Sequence, residues 1–241
     1  MKKIILALGL LIFTFNTVIA SHLMGGEITW ECIKSGNRKG AYIFSVKVYR
    51  DCQGVPINTT MSLDVHNISG LTAIPLNYIG ANDISPSCNT LNGPNIEFSC
   101  GGVNVPSGNG SGAVEEHTFR SDTIVISGSP DSDGWHFTWG ACCRNVNITN
   151  LQNVSNNTTG FLLRAVMYSY TDSLGQIFPK NNECYDSSPK FFEKPRTILE
   201  VGNGYDPLAF YNGFTYSHNA FDDEQDSISY SWGQPLSDIG Y

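Results

Sequence analysis

The segment from Gly134 to Asn145, GWHFTWGACCRN, constrains the fold more than any other. Trp135, Phe137 and Trp139 alternate with His136, Thr138 and Gly140. Successive strand side chains point to opposite faces, so this spacing predicts a strand with all three aromatics on one face. Aromatic side chains bury the most apolar area per residue, which makes that face the expected centre of a core. The strand runs into Cys142 and Cys143. Neighbouring strand positions face apart, and a ring closed between adjacent cysteines would strain the peptide joining them. The two sulfurs are therefore expected to reach different partners.

The same alternation recurs along the chain. Glu27 to Ile33 sets Ile28, Trp30 and Cys32 against Thr29, Glu31 and Ile33. Ala41 to Arg50 places Tyr42, Phe44, Val46 and Val48 on one face. With the turn cluster SGNRKG between them, these two predict an opening hairpin. Met61 to His66 and Leu71 to Tyr78 read as further strands; Pro75, which cannot donate to a ladder, marks an edge position. Residues 80 to 113 read as irregular. Glu115 to Ser127 is expected to run as one strand through Phe119 and Ile124-Val125-Ile126, and Phe161 to Tyr170 as another. Asp131, Asp133 and Gly134 read as turn formers rather than a calcium loop. No segment beyond the first residues has the pattern of an amphipathic helix, so the expected class is all-β.

The N-terminus reads as a secretory signal peptide at residues 1–20. Lys2 and Lys3 are followed by an apolar run, Ile4 to Phe15, too short for a comfortable membrane span, and Val18 and Ala20 supply the small residues of a cleavage site. About 220 residues then remain, enough for one large β domain or two small ones. A β-sandwich domain is expected over 21–188, and a linker with a partial second β unit over 189–241. The boundary falls near Ser188-Pro189, with strands at Phe210 to Tyr216 and Ser227 to Trp232. Only 15% of residues are charged and the net charge is −8. With no basic patch, this balance argues against nucleic acid and anionic membranes as partners. No later stretch is apolar enough to span a bilayer once the signal is removed.

All seven cysteines follow the signal. In an exported chain they are expected to be bridged, and the absence of CxxC or a neighbouring histidine pair argues against zinc. Cys32, Cys52, Cys88, Cys100, Cys142 and Cys143 are the expected disulfide cysteines. A local Cys88–Cys100 bridge is the preferred pairing, and closing that small loop would contribute about 2–3 kcal/mol. The odd number leaves one thiol free or paired outside the chain.

Four blocks occur in order: SHLMGGEITWEC at residues 21 to 32, FSVKVYRDCQG at 44 to 54, GWHFTWGACCRN at 134 to 145, and SSPKFFEKP at 187 to 195 leading to FDDEQDSISYS at 221 to 231. Their series resembles the N-terminal region of large secreted, gliding-motility-associated adhesin-like surface proteins of Bacteroidota-type bacteria, exported by type IX secretion. The resemblance implies a disulfide-stapled, Ig-like β-sandwich at the head of a long exported chain. That pattern would carry a further cysteine shortly after SSPKFFEKP, where this chain has Val201 or a neighbour. This departure makes Cys184 the candidate free thiol.

Asp222, Asp223, Glu224 and Asp226 cluster ahead of Ser227-Ile228-Ser229-Tyr230. Hard cations take several oxygen ligands, so Asp222, Glu224 and Asp226 are the candidate ligands of a calcium site; a solvated acidic turn is the alternative. No other cofactor is indicated. His66, His117 and His136 sit in no nucleophile or metal motif, and Glu115 and Glu116 face apart on a strand, so no catalytic residues are assigned. The resulting expectation is a non-enzymatic, secreted cell-surface module for adhesion or surface presentation, with an extracellular glycan or surface protein as partner. The alternative is a carbohydrate-binding accessory domain of a secreted polysaccharide-processing system, using exposed rings such as Trp30 and Trp232.

Overall fold

The computed structural model describes residues 23–52, 54–85, 87–88, 96–97, 99–100, 113–141, 160–180, 183–184, 186–193 and 219–237. The signal segment, Cys142, Cys143 and the expected strand at 210–216 lie outside these residues, as does the side chain of Cys88. The described chain is all-β.

The opening hairpin forms as its alternation dictates. Strand β1 (Leu23–Cys32) pairs antiparallel with β2 (Tyr42–Asp51), with Trp30 opposite Phe44 and Ile28 opposite Val46. A short 3-10 turn, Gly36–Arg38, joins them. Strand β3 (Met61–His66) buries Met61, Leu63 and Val65, its alternate positions. Then come β4 (Ala73–Asp83), two short pairing strands β5 (Ser87–Cys88) and β6 (Ile96–Glu97), β7 (Val114–Ser121), β8 (Trp135–Ala141) and β9 (Phe161–Met167).

Seven of these build one antiparallel sheet in the order β1-β2-β7-β4-β3-β8-β9. Strand β4 turns that sheet into a sandwich. Its first residues, Ala73 to Leu76, pair with β3, whereas Leu76 to Asp83 pair with β7. A strand that exchanges partners along its length makes a sandwich corner. Pro75 faces Ser62 of β3 and precedes the β7 ladder, so it needs no second partner.

The two layers meet through aromatic rings. Phe44 of β2 lies 4.5 Å from Phe137 of β8, and Trp30 of β1 lies 6.2 Å from the same ring. Phe137 is 0% exposed and Trp135 3%, while Trp139 packs edge-on against Phe161. The expected common aromatic face therefore points into the core. Removing a ring of this kind would cost about 3–5 kcal/mol. Gly26 lets β1 close over β9: a Cβ there would fall 2.6 Å from both Leu163 Cδ1 and Lys47 O. Gly134 opens β8 at φ +82°, with Asp131 Oδ1 accepting the Asp133 and Gly134 amides in the preceding turn. Those residues act as turn formers, as their chemistry suggests.

Strand β7 is shorter than expected. The Ser121 hydroxyl accepts the Phe44 amide and donates to Asp122 O, which diverts the ladder into a side-chain bond. Ile124 keeps a single bridge to Tyr42, and Val125 is exposed.

The cystine pairing also departs from expectation. Cys184, the candidate free thiol, is bonded to Cys32, with Cα atoms 5.7 Å apart. Two serines just after Cys184 supply the reason. The Ser188 amide donates to Trp30 O, and the Ser187 and Ser188 hydroxyls accept the Cys32 and Trp30 amides. This segment covers the free edge of β1 and carries Cys184 to Cys32. Cys100 pairs with Cys52 rather than with Cys88. Asp83 accepts the Cys100 amide and the Ser99 hydroxyl, folding that loop back to the end of β2.

Beyond the sandwich, β10 (Tyr170–Thr171) and β11 (Ile177–Phe178) form a small hairpin, and β12 (Lys190–Phe191) pairs with β13 (Ala220–Phe221). Ser187 and Ser188, beside the expected domain boundary, are buried against β1. Ser227 to Trp232 forms no strand, and Trp232 is fully exposed.

Candidate functional site

Three carboxylates converge where the C-terminal segment meets the hairpin. Asp222 comes directly after β13 and is 4% exposed. Its Oδ1 accepts the amides of Glu224 at 3.0 Å and Asp226 at 3.1 Å, so the acidic turn wraps around its own first residue. Glu224 folds inward beside it. Asp186, two residues after the Cys184 bridge, reaches the same point from the segment pinned on β1. One oxygen from each of Asp186, Asp222 and Glu224 lies within 4.8 Å of the others. Two oxygens bound to one calcium ion at about 2.3–2.6 Å can stand no more than about 5 Å apart, so the three lie within reach of a single ion.

Of the expected ligands, the structure thus joins Asp222 and Glu224. Asp226 is not in the converging set; its amide closes the turn and its charge acts on Asp186. Asp186 was not visible from sequence spacing, since it stands alone between Tyr185 and Ser187. Its proximity to Cys184 would have been a signal only with the pairing known.

The electrostatics are uneven. Glu224 Oε1 is held by Lys34 Nζ at 2.5 Å and by the Ser187 hydroxyl at 3.1 Å. Glu224 Oε2 and Asp186 Oδ1 are buried with no hydrogen-bond partner. Burial, then the charges of Glu224, Asp222 and Asp226, push the Asp186 carboxyl up to about 6, with Lys34 opposing. Burying carboxylates without donors or countercharge is costly, and among the described residues Lys34 is the one cation set against the three.

Asp186 also forms part of the wall of a cleft of about 320 Å³, whose other walls include Trp30, Tyr42, Tyr168, Tyr170 and Phe178. Burial, then the charge of Asp186, raises the Tyr42 hydroxyl well above the usual phenol range, so it remains a neutral donor. The cleft thus combines ring faces with a carboxylate and a phenol.

A second polar cluster lies at the opposite end of the β1–β2 ladder. Arg50 donates to Glu115 Oε1 through Nε, at 2.6 Å, and through Nη2, and to Gly54 O through Nη1. His117 Nε2 lies 2.7 Å from Glu115 Oε1, and its Nδ1 is 3.2 Å from the Tyr78 hydroxyl. Burial raises the Glu115 carboxyl, but the His117 and Arg50 bonds and charges outweigh it and hold it below its ordinary value. Glu116 faces the other way, opposite Tyr49 and 3.9 Å from Lys47 Nζ. His117 is buried and bonded, and His136 and His66 bond the Asp133 carbonyl and the Thr138 hydroxyl.

Comparison with family models, characterised proteins and solved structures yields no match. Fold and sites define the class: a disulfide-stapled all-β sandwich of the Ig-like kind. Its disulfides fit an extracellular protein, and among the described residues no helix is long and apolar enough to cross a membrane.

Proposed function

We propose that this chain is a non-enzymatic, exported surface module for adhesion or surface presentation, associated with gliding and type IX secretion. The observation that carries the reading is the placement of the Cys32–Cys184 bridge. It ties the first strand to the segment that leaves the sandwich, across a sequence separation of 152. Tension applied to the chain on either side of this bridge passes through the cystine instead of unrolling the sheet between. Such a staple suits a module that bears load outside the cell, where disulfides persist. The test is deletion of the gene in its host, with antibody labelling of intact wild-type cells. Surface labelling and reduced attachment or gliding in the deletion strain are expected. Absent labelling, or attachment and gliding both unchanged, would refute the reading.

The carbohydrate-binding alternative draws support from the cleft. Ring faces of Trp30, Tyr168 and Tyr170 beside Asp186 offer stacking surfaces and an acceptor for hydroxyls. Glycan-array binding abolished by Trp30→Ala, with the fold retained by circular dichroism, would favour it. An array without signal at high protein concentration would remove it.

A further inference from the structure

We propose that Asp186, Asp222 and Glu224 form a calcium site that fastens the C-terminal segment to the opening hairpin. This inference is independent of the adhesive reading. The first support is geometric: three carboxylate oxygens from two segments lie within 4.8 Å of one another. The second is the state of two of those groups. Asp186 Oδ1 and Glu224 Oε2 are sealed from solvent and accept no hydrogen bond. Native proteins seldom leave buried carboxylate oxygens unpaired, and an unfilled coordination position is one reason they do.

Charge selects the ion. Lys34, half exposed on the β1–β2 loop, offsets one of the three carboxylates through Glu224 Oε1. The remaining charge matches a divalent cation. Among the described residues, the other charged groups nearby do not supply it. Asp226 adds negative charge, and the Asp223 carboxylate is already paired with Lys190 at 2.7 Å. An all-oxygen set selects a hard ion over zinc or copper. Its ligands come from an irregular turn and a separate segment, which suits the flexible coordination of calcium better than the strict octahedron of magnesium. Water would complete the shell.

Where the ligands are anchored determines what the ion would do. Asp186 is fixed to β1 by the Cys184 bridge and by Ser187 and Ser188. Asp222 and Glu224 belong to the turn after β13, and Lys190 and Phe191 of β12 pair with that strand. Calcium would join these segments where like charges now oppose each other.

The test uses the full exported, oxidised chain, stripped with chelator. Calcium is titrated by calorimetry, and terbium by luminescence sensitised through Trp30 and Tyr42, which share the cleft wall with Asp186. The expected result is one ion per chain, terbium emission displaced by calcium but not by equal magnesium, and a melting temperature that rises with calcium. Asp186→Asn and Glu224→Gln, near-isosteric changes, should each weaken binding by about tenfold or more. Asp223→Asn should leave it unchanged. Absence of heat and of sensitised emission would overturn the site. So would an Asp186→Asn chain that binds calcium like wild type, since binding would then belong to the acidic turn alone.

Discussion

The two ends of the sandwich hold the same kinds of groups and treat them differently. At one end Glu115 sits beside the Cys52–Cys100 bridge, and at the other Asp186 lies two residues past the Cys32–Cys184 bridge. Glu115 receives an arginine and a histidine, with Tyr78 behind the histidine. Asp186 receives neighbours of its own sign. The first cluster is complete as an element of structure: each charge has a partner, and nothing further is needed to stabilise it. Among the described residues the second sets Lys34 against three carboxylates, and a positive ion or a proton would complete it. Satisfaction of buried charge, more than its mere presence, separates a structural network from a binding site.

The largest effect should come from breaking the bridge that supports the unsatisfied end. A Cys32→Ser, Cys184→Ser chain loses a very long covalent loop, at a cost of about 5 kcal/mol in the unfolded-chain model. Denaturant unfolding would measure it. Calcium affinity should fall in the same variant, because Asp186 loses its anchor. Next is Glu115→Gln, which removes the carboxylate facing the buried Arg50 guanidinium. Stripping one partner from a buried pair costs about 3–4 kcal/mol. That loss should be the same with chelator and with calcium. A calcium-dependent loss at Glu115 would mean that the two ends are coupled.

The ends should also answer acid with opposite signs. Glu115 has a folded value below its unfolded one. Its contribution is full above the ordinary carboxylate range and disappears as pH falls through the depressed value. Asp186 is raised to about 6. In chelator-treated protein its contribution is full below its unfolded value near 3.8 and disappears as pH rises through about 6. Chelator-treated wild type should therefore lose stability between about pH 4 and pH 7 relative to Asp186→Asn. Calcium should erase that difference at neutral pH, with affinity falling as the solution is acidified. Melting curves of both chains across this range, with and without calcium, provide the measurement.

Local patterns made one part of this architecture readable in advance. The alternation of Tyr42, Phe44, Val46 and Val48, and of Trp135 and Phe137, is set by the strand itself, and those residues are buried as their spacing demands. What depends on partners distant in sequence was hidden. The corner in β4 arises because one strand serves two neighbours, which no period within it reports. The cystine pairs depend on Ser187 and Ser188 binding the β1 edge and on Asp83 folding the Cys100 loop. The acidic site was half visible for the same reason. Asp222 and Glu224 share a turn, while Asp186 joins them only after the chain has folded.

The smallest effect sets the scale for the others. Arg120 and Glu31 form an ion pair at 3.1 Å, with side chains 48% and 51% exposed. Water screens both charges, and two long side chains lose freedom to meet, so Glu31→Gln should cost under about 0.5 kcal/mol. The change should also shrink with added salt. A chemically similar carboxylate-to-amide change at Glu115 is expected to cost several-fold more, because the Arg50 left behind is buried. At Asp186 it should relieve repulsion in chelator and remove a ligand in calcium. If Glu31→Gln matched Glu115→Gln in a denaturant titration, burial would not be what distinguishes these carboxylates, and the contrast between the two ends would fail.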